Sequence, residues 1–507
     1  MSQPHRRHST SLALVPAAHP STDSLDESQT PPGADSGTSS VRPNPLPRRG
    51  ELTAHGSHQR RVQKRTGPPV AKRSPPPPVR WTAPMVAWRV ALAVAVLAVF
   101  GALLSTEVAG MLARDTLPLT SILVGVGSLS GCYFLATVFY ALRYRAPAPI
   151  SDAALPRITV IVPAYNEGAA VRVALESALA SDYPKDKLTI LAVDDGSKDD
   201  TWKHMEAVAQ ANPTQILAFQ QPENRGKREA LREGFLQADG EFVVTVDSDS
   251  KIEPGALRAI VAPMVADPEV AAVAGRVLVL NRTANFFTRI LSARFFITFD
   301  LARAAQSRFG AVLCTPGALS AYRLSAVREV LEPWSTQTFF GQPCTIAEDR
   351  ALTTWLLRAG YRSVYQRDAV VATLMPTDIP RICRMLIRWE RGNIREDLVM
   401  LPVLFTKWRP RDRFWPSMEI VLELIQPPLA WLALACALRW IVDVDAALTL
   451  VGLMALGAAV QTLYALRSSR ATDYFFGVAY GLLAIVGLQW VFPYSFVTVR
   501  DGRWLTR

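Results

Sequence analysis

The feature that most constrains the fold is the apolar run at residues 243–246, which is followed directly by Asp247, Ser248 and Asp249. A short run rich in β-branched residues predicts a buried β-strand. Open α/β sheets bind ligands beyond the carboxyl ends of their strands. Two carboxylates at that place suit Mg²⁺ or Mn²⁺, which prefer oxygen ligands and complete their shell with waters and substrate phosphates. The alternative is a strand that ends in a solvated turn.

The surrounding segment, from Leu155 to about Leu280, alternates short β-branched runs with amphipathic helical stretches. This alternation predicts an α/β domain with a mostly parallel sheet and helices on both faces. The predicted strands are residues 158–162, 188–193, 215–219, 242–246 and 270–279, and the predicted helices begin near Gly168, Asp199, Lys227 and Glu253.

Polar loops follow three of these strands, at residues 163–167, 194–197 and 247–249. Parallel strands bring such loops to one crevice. The first loop reads PAYNEG rather than GxGxxG, which disfavours a dinucleotide-binding fold. Asp194 and Asp195 could form only a turn, but in this context we interpret them as carboxylates that bind a nucleobase or ribose.

Lys227 and Arg228 lie at the predicted start of a helix, where exposed backbone N–H groups favour anions. The alternative is a solvated helix start. Glu348 and Asp349 also precede a helical run, and without further context a helix cap is the simpler interpretation. Two further stretches combine aromatic and basic residues: a segment with Phe286–Phe287 and Phe295–Phe296 among arginines, which could lie at a membrane interface, and the run RWER at residues 388–391.

Cysteine and histidine usage excludes several kinds of site. The five cysteines include no CxxC pair, so neither a zinc site nor a disulfide framework is indicated. Five of the six histidines lie in the first 58 residues, which leaves only His204 in the rest of the chain. Acid–base chemistry therefore falls to carboxylates.

The ends of the chain predict a membrane protein with a basic tail. Residues 1–80 contain 14 of the 37 prolines and few aromatics, which predicts a disordered segment. Its basic residues crowd ahead of the first apolar block, as in cytoplasmic juxtamembrane segments that contact anionic lipid. Nucleic-acid binding is disfavoured because no stacking aromatics are interleaved with the basic residues.

Apolar blocks long enough to span a bilayer occur at residues 86–105, 119–142, 420–442, 446–466 and 474–499. Pro427 and Pro428 should kink or interrupt the third block.

Together these motifs resemble the processive, membrane-embedded family 2 glycosyltransferases, such as hyaluronan synthase, chitin synthase, the rhizobial chitooligosaccharide synthase and, more distantly, cellulose synthase. The resemblance covers roughly residues 155–397 and extends to the C-terminal RWLTR. It implies a GT-A-like cytosolic domain at 150–400 between a transmembrane hairpin at 81–145 and a transmembrane region at 401–507. It also implies an integral plasma-membrane protein with a cytosolic N-terminus.

The resemblance assigns roles to residues. Asp247 and Asp249 would place Mg²⁺ or Mn²⁺ on the diphosphate of the donor, and Asp349 would be the general base, with Glu348 as the nearest alternative. The donor would be a UDP-sugar, with UDP-GlcNAc, UDP-GlcA or both favoured, and the acceptor a growing polysaccharide. The remaining predicted donor-binding residues are Tyr165, Glu167, Asp194, Asp195, Lys227 and Arg228, and the predicted acceptor-side residues are Tyr322, Arg323, Arg388, Trp389 and Arg391.

The chain departs from the family pattern at Met385, where the QxxRW box has glutamine, and at Gly392, where a small polar residue is expected. These departures concern the product and its length more than the reaction. The expected activity is therefore inverting transfer from a UDP-sugar to a β-linked, hyaluronan- or chitin-like polymer that is exported. The alternatives are a non-processive transferase acting on a lipid carrier, and an inactive scaffold or transporter that reuses the fold. Retention of Asp195, Asp247, Asp249 and Asp349 argues against the inactive scaffold.

Overall fold

The structure, a computed structural model, describes residues 83–114, 118–405, 414–438, 444–467, 470 and 472–503. The predicted disordered tail lies outside the described residues, as do the last four residues of the C-terminal RWLTR motif.

The described chain forms fifteen α-helices, ten strands and a π-helical segment at Phe296–Leu301. The strands are β1 Ile158–Ala164, β2 Leu188–Asp194, β3 Ile216–Gln220, β4 Phe242–Thr245, β5 Ser250–Ile252, β6 Val270–Val279, β7 Ser320–Arg323, β8 Thr338–Phe339, β9 Gln342–Pro343 and β10 Arg362–Thr373. The helices are α1 Ala83–Arg114, α2 Pro118–Arg143, α3 Val171–Leu179, α4 Thr201–Ala211, α5 Lys227–Gln237, α6 Ala256–Ala266, α7 Phe286–Phe295, α8 Ala302–Arg308, α9 Leu324–Ser335, α10 Glu348–Arg358, α11 Ile379–Met400, α12 Phe414–Leu438, α13 Val444–Gln461, α14 Asp473–Gly487 and α15 Val491–Val497.

Eight strands form one sheet in the order β3-β2-β1-β4-β7-β6-β10-β5, in which only β7 and β5 run antiparallel to their neighbours. This confirms the predicted mostly parallel α/β sheet. All five predicted strands are present, with ends that differ by at most two residues. The sequence interpretation missed β5, β7 and β10. β5 and β7 have three and four residues and contain a single β-branched residue, Ile252, between them, so neither shows the apolar run that marks a strand.

Both faces of the sheet are covered, because alternate side chains of each strand point to opposite sides. Val160 and Val162 of β1 pack into the cluster that includes α3 and α6. Ile161, between them in sequence, packs into a second cluster with Phe235 of α5 and Trp334 of α9. The polar loops that follow the strands are therefore held by a core that is buried on two sides.

Helices occupy every apolar block that was predicted to span a membrane. Among the described residues, no single helix is both long and apolar enough to cross a bilayer, although α14 and α15 together, bent by 54° at the break between them, reach that length and composition. Pro427 and Pro428 were predicted to kink or interrupt their block. They do not interrupt it, since α12 continues through both, and a kink there stays a prediction.

Candidate active site

The first two polar loops are tied together beyond the carboxyl ends of β1 and β2. Asn166, which has a left-handed backbone with φ of 52°, donates its backbone N–H to Ser197 Oγ at 2.9 Å. Its side-chain oxygen accepts a hydrogen bond from the backbone of Lys198 at 2.9 Å. These bonds hold Tyr165 and Glu167, on either side of Asn166, beside the second loop. The predicted convergence of these loops is therefore present.

Asp195 connects the crevice to the loop that precedes α5. Its carboxylate accepts hydrogen bonds from the backbone N–H groups of Arg225 and Gly226, both at 2.9 Å. Burial raises the pKa of Asp195 to about 6, although the two amide bonds act in the opposite direction. Asp195 thus fixes the loop that leads into Lys227, at the edge where a nucleoside would lie.

Asp194 and Arg228 are held by contacts within the protein. Asp194 is fully buried and accepts hydrogen bonds from Gln220 Nε2 at 2.6 Å and from the backbone N–H of Ser197 at 3.2 Å, so it fastens β2 to β3 and supports the second loop. Arg228 is 5% exposed, donates to the backbone oxygen of Trp334 and lies 5.2 Å from the centre of the Trp334 ring. Lys227 faces the site and Arg228 faces the core, because consecutive side chains of a helix point in different directions.

Lys227 is the central cation of the site. Its Nζ lies 2.6 Å from Asp247 Oδ1 and 2.8 Å from Glu348 Oε1. Burial alone lowers the pKa of Lys227, but the charges of Asp247, Glu348 and Asp349 outweigh burial and raise it. The ammonium group therefore stays charged and links the third loop to the start of α10.

Gly317 explains how these groups can approach one another. A Cβ added there would lie 2.7 Å from Lys227 Nζ and 3.1 Å from Asp247 Oδ1, so a larger residue would intrude between the two charges. The backbone N–H of Gly317 donates to Asp349 Oδ2 at 2.9 Å. The role of Gly317 could not be predicted from the sequence, because a close backbone approach leaves no signal in the spacing of residues.

Asp247 and Asp249 lie where the sequence predicted a cation. Burial, followed by the charges of Asp247 and Glu167, raises the pKa of Asp249 to about 6. Thr373 Oγ1 donates to Asp249 Oδ1 at 3.1 Å and orients the carboxylate. Two carboxylates that repel each other fit a hard divalent cation. Among the described residues no three acidic, histidine or cysteine side chains form a metal-binding cluster, so further ligands would have to come from substrate phosphate and water.

Asp349 lies at the start of α10, beside Lys227. Burial and the neighbouring charge of Glu348 raise its pKa, whereas Lys227 and the N–H groups of Gly317 and Arg350 oppose the rise. Glu348 behaves differently. Burial would raise its pKa, but the ion pair with Lys227 and the charge of Arg388 lower it below the usual value. Of the two carboxylates, Asp349 is thus the better placed to take up a proton.

Trp389, on α11, lies in an aromatic wall. Its ring centre is 6.0 Å from that of Phe295 and 6.2 Å from that of Phe299, and the Arg294 guanidinium lies 5.4 Å from it. Arg388 is close enough to lower the pKa of Glu348, so this residue of the RW pair lies near the start of α10. Met385 is 3% exposed in an apolar cluster, where its thioether is compatible with the packing.

Three predicted acceptor-side residues have other contacts. Arg391 is 1% exposed and binds Thr498 Oγ1 and Asp501 of the C-terminal segment. Tyr322 lines the small cavity beside Lys227 and Asp349, but its hydroxyl is bonded to Thr315 Oγ1 at 2.9 Å. Arg323 lies at the opposite edge of the sheet, because antiparallel β7 pairs Ser320 with the end of β4 and Arg323 with its beginning. The prediction for Arg323 is wrong, because the topology places it away from the carboxyl edge of the sheet, whereas an acceptor-side role for Arg391 stays a prediction.

The parallel sheet with paired carboxylates at its carboxyl edge defines the class of GT-A-like glycosyltransferases. Residues 156–392 match the family described as "Glycosyltransferase like family 2". The chain is 31% identical over 381 residues to an N-acetylglucosaminyltransferase of Rhizobium meliloti (strain 1021), covering 73% of this chain and 87% of the relative. It is 30% identical over 387 residues to an N-acetylglucosaminyltransferase of Rhizobium leguminosarum bv. viciae, covering 75% and 89%. The chain belongs to glycosyltransferase family 2.

A solved structure supports the fold independently. The mannosyltransferase PcManGT from Pyrobaculum calidifontis, determined in complex with GDP-Man and Mn²⁺, aligns with a TM-score of 0.51 at 24% identity. The alignment covers 73% of this chain and 99% of that chain.

Proposed function

We propose that this protein is an inverting N-acetylglucosaminyltransferase that uses UDP-GlcNAc to extend a β-linked, chitin-like chain. The names of the relatives support the donor sugar. The observation that carries the chemistry is the placement of Asp349, a buried carboxyl group with a raised pKa, next to the cluster formed by Lys227, Asp247 and Glu348. A base and a site for a diphosphate are thereby adjacent.

In this reaction Asp349 accepts the proton of an acceptor hydroxyl group while the hydroxyl oxygen attacks the anomeric carbon of the donor. The bond from that carbon to the UDP oxygen breaks in the same displacement, so the configuration inverts and UDP leaves. A raised pKa suits this role because a base is most effective when its pKa approaches the working pH. Lys227, at the start of α5, would stabilise the negative charge that develops on the diphosphate.

Asp247 and Asp249 would hold Mg²⁺ or Mn²⁺. A bound cation supplies Lewis-acid stabilisation of the departing diphosphate. Thr373 supports this assignment because it orients Asp249 from β10, and outer hydrogen bonds of this kind commonly fix metal-binding side chains.

Trp389 is proposed as the platform on which the acceptor sugar stacks. The ring is only partly buried and is braced by Phe295 and Phe299.

For the location of the protein we propose the plasma membrane, with the catalytic domain and the N-terminus in the cytosol and the product exported between the helices that flank the domain. The support is the row of apolar blocks in the sequence, since a polar chain cannot cross hydrocarbon unassisted.

The test is a donor panel on membranes that contain the protein. UDP-GlcNAc, UDP-GlcA and both together are compared by UDP release and by product length, and the product is digested with chitinase or with hyaluronidase. We expect turnover with UDP-GlcNAc alone and a product that only chitinase digests. Turnover that requires both donors, or a hyaluronidase-sensitive product, would contradict the chitin-like assignment.

The Trp389→Ala variant tests extension separately from chemistry. Without the platform, long products should disappear while slow hydrolysis of UDP-GlcNAc to water continues, since water needs no aromatic support. Long chains from the variant would show that other residues hold the acceptor. The Phe296→Leu variant is a suitable control. Phe296 directly follows Phe295, one of the residues that brace Trp389, but its own ring packs against Tyr464.

A further inference from the structure

Arg303 is a buried arginine that the mechanism above does not use. It lies on α8 and is only 5% exposed. Its Nη1 atom is buried and has no hydrogen-bond partner within the described part of the chain. Burying a charged donor without a partner costs substantial free energy, so an unfilled donor at this depth indicates a missing hydrogen-bond acceptor.

Three other buried arginines have carboxylate partners. Arg350 pairs with Asp397 and Arg395 with Glu396, while Arg391 pairs with Asp501. Unfilled nitrogen atoms also occur at other buried arginines, such as Nε of Arg350 and Nε of Arg228. Arg303 differs from the three paired arginines because no acidic side chain forms an ion pair with it within the described residues, so its unfilled Nη1 belongs to a buried guanidinium without an ion pair.

The surroundings of Arg303 place it on the acceptor side of the base. Its guanidinium lies 4.2 Å from the ring centre of Phe299, and Phe299 contacts Trp389. Cys314, Tyr365 and Asp349 are its ionisable neighbours, and Arg303 also forms a hydrogen bond with Cys314. Lys227, which is bonded to Asp247, approaches Asp349 from the donor side. Arg303 thus continues the wall of Trp389 and Phe299 towards the proton-accepting carboxylate.

We propose that Arg303 is an acceptor-binding residue whose Nη1 donates a hydrogen bond to an oxygen of the terminal acceptor sugar. This inference rests on the proposed function. A neutral sugar suits the site because its hydroxyl and acetamido oxygens accept hydrogen bonds, and because Phe299 and Trp389 offer apolar faces beside the guanidinium. A bond from a charged donor at this place would position the attacking hydroxyl group next to Asp349.

The test compares Arg303→Met with Arg308→Gln, which alters the exposed arginine at the end of the same helix. The acceptor is an N-acetylglucosamine tetrasaccharide and the donor is UDP-GlcNAc. We expect Arg303→Met to raise the acceptor KM roughly 10- to 150-fold, the range for a hydrogen bond from a charged group. UDP affinity by calorimetry and the rate of donor hydrolysis to water should stay within about two-fold of wild type, and Arg308→Gln should behave as wild type.

An unchanged acceptor KM, or a parallel loss of UDP affinity, would overturn the proposal. If Arg303→Met does not fold, Arg303→Lys keeps a cation in the core and should still raise the acceptor KM, because an ammonium group cannot occupy the Nη1 position. Calorimetry measures binding of the tetrasaccharide without turnover, so it tests the role of Arg303 separately from the proposed transferase activity. Wild-type protein that binds the tetrasaccharide through Arg303 but transfers no sugar contradicts the proposed function alone, whereas transfer with an unaffected acceptor KM contradicts only the role of Arg303.

Discussion

Two adjacent carboxylates at the start of α10 acquire opposite properties from their surroundings. Glu348 is 3% exposed and paired with Lys227 at 2.8 Å, which keeps it ionised. Asp349 accepts a backbone N–H from Gly317 but forms no comparable ion pair within the described residues, and burial with the charge of Glu348 raises its pKa. A separation of pKa values between neighbouring acids is a common way to divide catalytic roles.

Asp349→Asn should abolish the proton-accepting step while leaving the donor site intact. Asparagine is nearly isosteric and can still accept the Gly317 hydrogen bond, so we expect kcat to fall by roughly 10² to 10⁴ with UDP affinity unchanged. UDP release and calorimetry measure the two quantities. Transfer at the wild-type rate would move the base elsewhere, with Glu348 as the nearest candidate.

The pH dependence should reflect the raised pKa of Asp349. The base works only when deprotonated, so activity should be lost as pH falls through a pKa that lies above the usual range for aspartate. Glu348→Gln removes one cause of the rise, and the acidic limb of kcat/KM should then move to lower pH. The measurement is the pH profile of both proteins, and a limb that stays in place or moves upward would contradict the assigned coupling.

The cation site gives a separate prediction at Asp249. Asp249→Asn should reduce turnover by at least about 10², and EDTA should inactivate the wild type until Mn²⁺ or Mg²⁺ is restored. Thr373→Val is the matched control, because it removes only the hydrogen bond that orients Asp249 and should weaken the apparent metal affinity by roughly 10-fold. Full activity in EDTA would refute the metal role.

At the scale of elements, the catalytic helix α10 is positioned by its contact with α11. Ala347, directly before α10, has a left-handed backbone with φ of 54°, an uncommon conformation for a residue with a side chain. A Cβ added to Gly392 of α11 would lie 2.3 Å from Ala347 Cβ. Glycine at 392, which departs from the family pattern, thus allows α11 to approach the start of α10 closely.

Gly392→Ala should therefore displace α11 from Glu348 and Asp349. We expect a loss of roughly 1–3 kcal/mol in the free energy of unfolding, as in other overpacked sites, together with reduced kcat. Gly255→Ala is the control, since a Cβ at 255 meets no atom within 4 Å and should leave stability nearly unchanged. Thermal unfolding and turnover of the two variants provide the comparison. If the two variants were equally stable, α10 and α11 would separate without a free-energy cost, contrary to this prediction.

At the scale of the whole molecule, the catalytic domain is bounded by segments with quite different composition. The tail at residues 1–80, predicted to be disordered, lies outside the described residues. Deleting residues 1–75 should leave transferase activity within a few-fold, because the tail has no apolar periodicity with which to build a core. In the proposed membrane setting each of its basic residues would contribute about 1 kcal/mol of attraction to anionic lipid, so we expect the deletion to weaken membrane association. Inactive but correctly inserted truncated protein would contradict this prediction.

The sequence alone determined the parts of the protein that depend on local patterns. Alternating apolar runs and helical stretches specified the parallel sheet, and the end of each strand specified which polar loops share the crevice. Asp195, Asp247, Asp249 and Asp349 were therefore predicted as site residues from sequence order and resemblance. Strand β7 was missed because its four residues, SAYR, include no β-branched residue. Without β7 the position of Arg323 at the opposite edge of the sheet could not be predicted.

Only the tertiary structure decided which neighbouring side chains face the site. Lys227 and Arg228 are adjacent in sequence, yet one binds Asp247 and the other stacks on Trp334 in the core, because consecutive residues of a helix point in different directions. The contact of Gly317 with Asp349 and the unfilled donor of Arg303 depend on segments far apart in the chain. Such contacts depend on tertiary packing and on the free-energy cost of burying charge, and the spacing of residues along the sequence specifies neither.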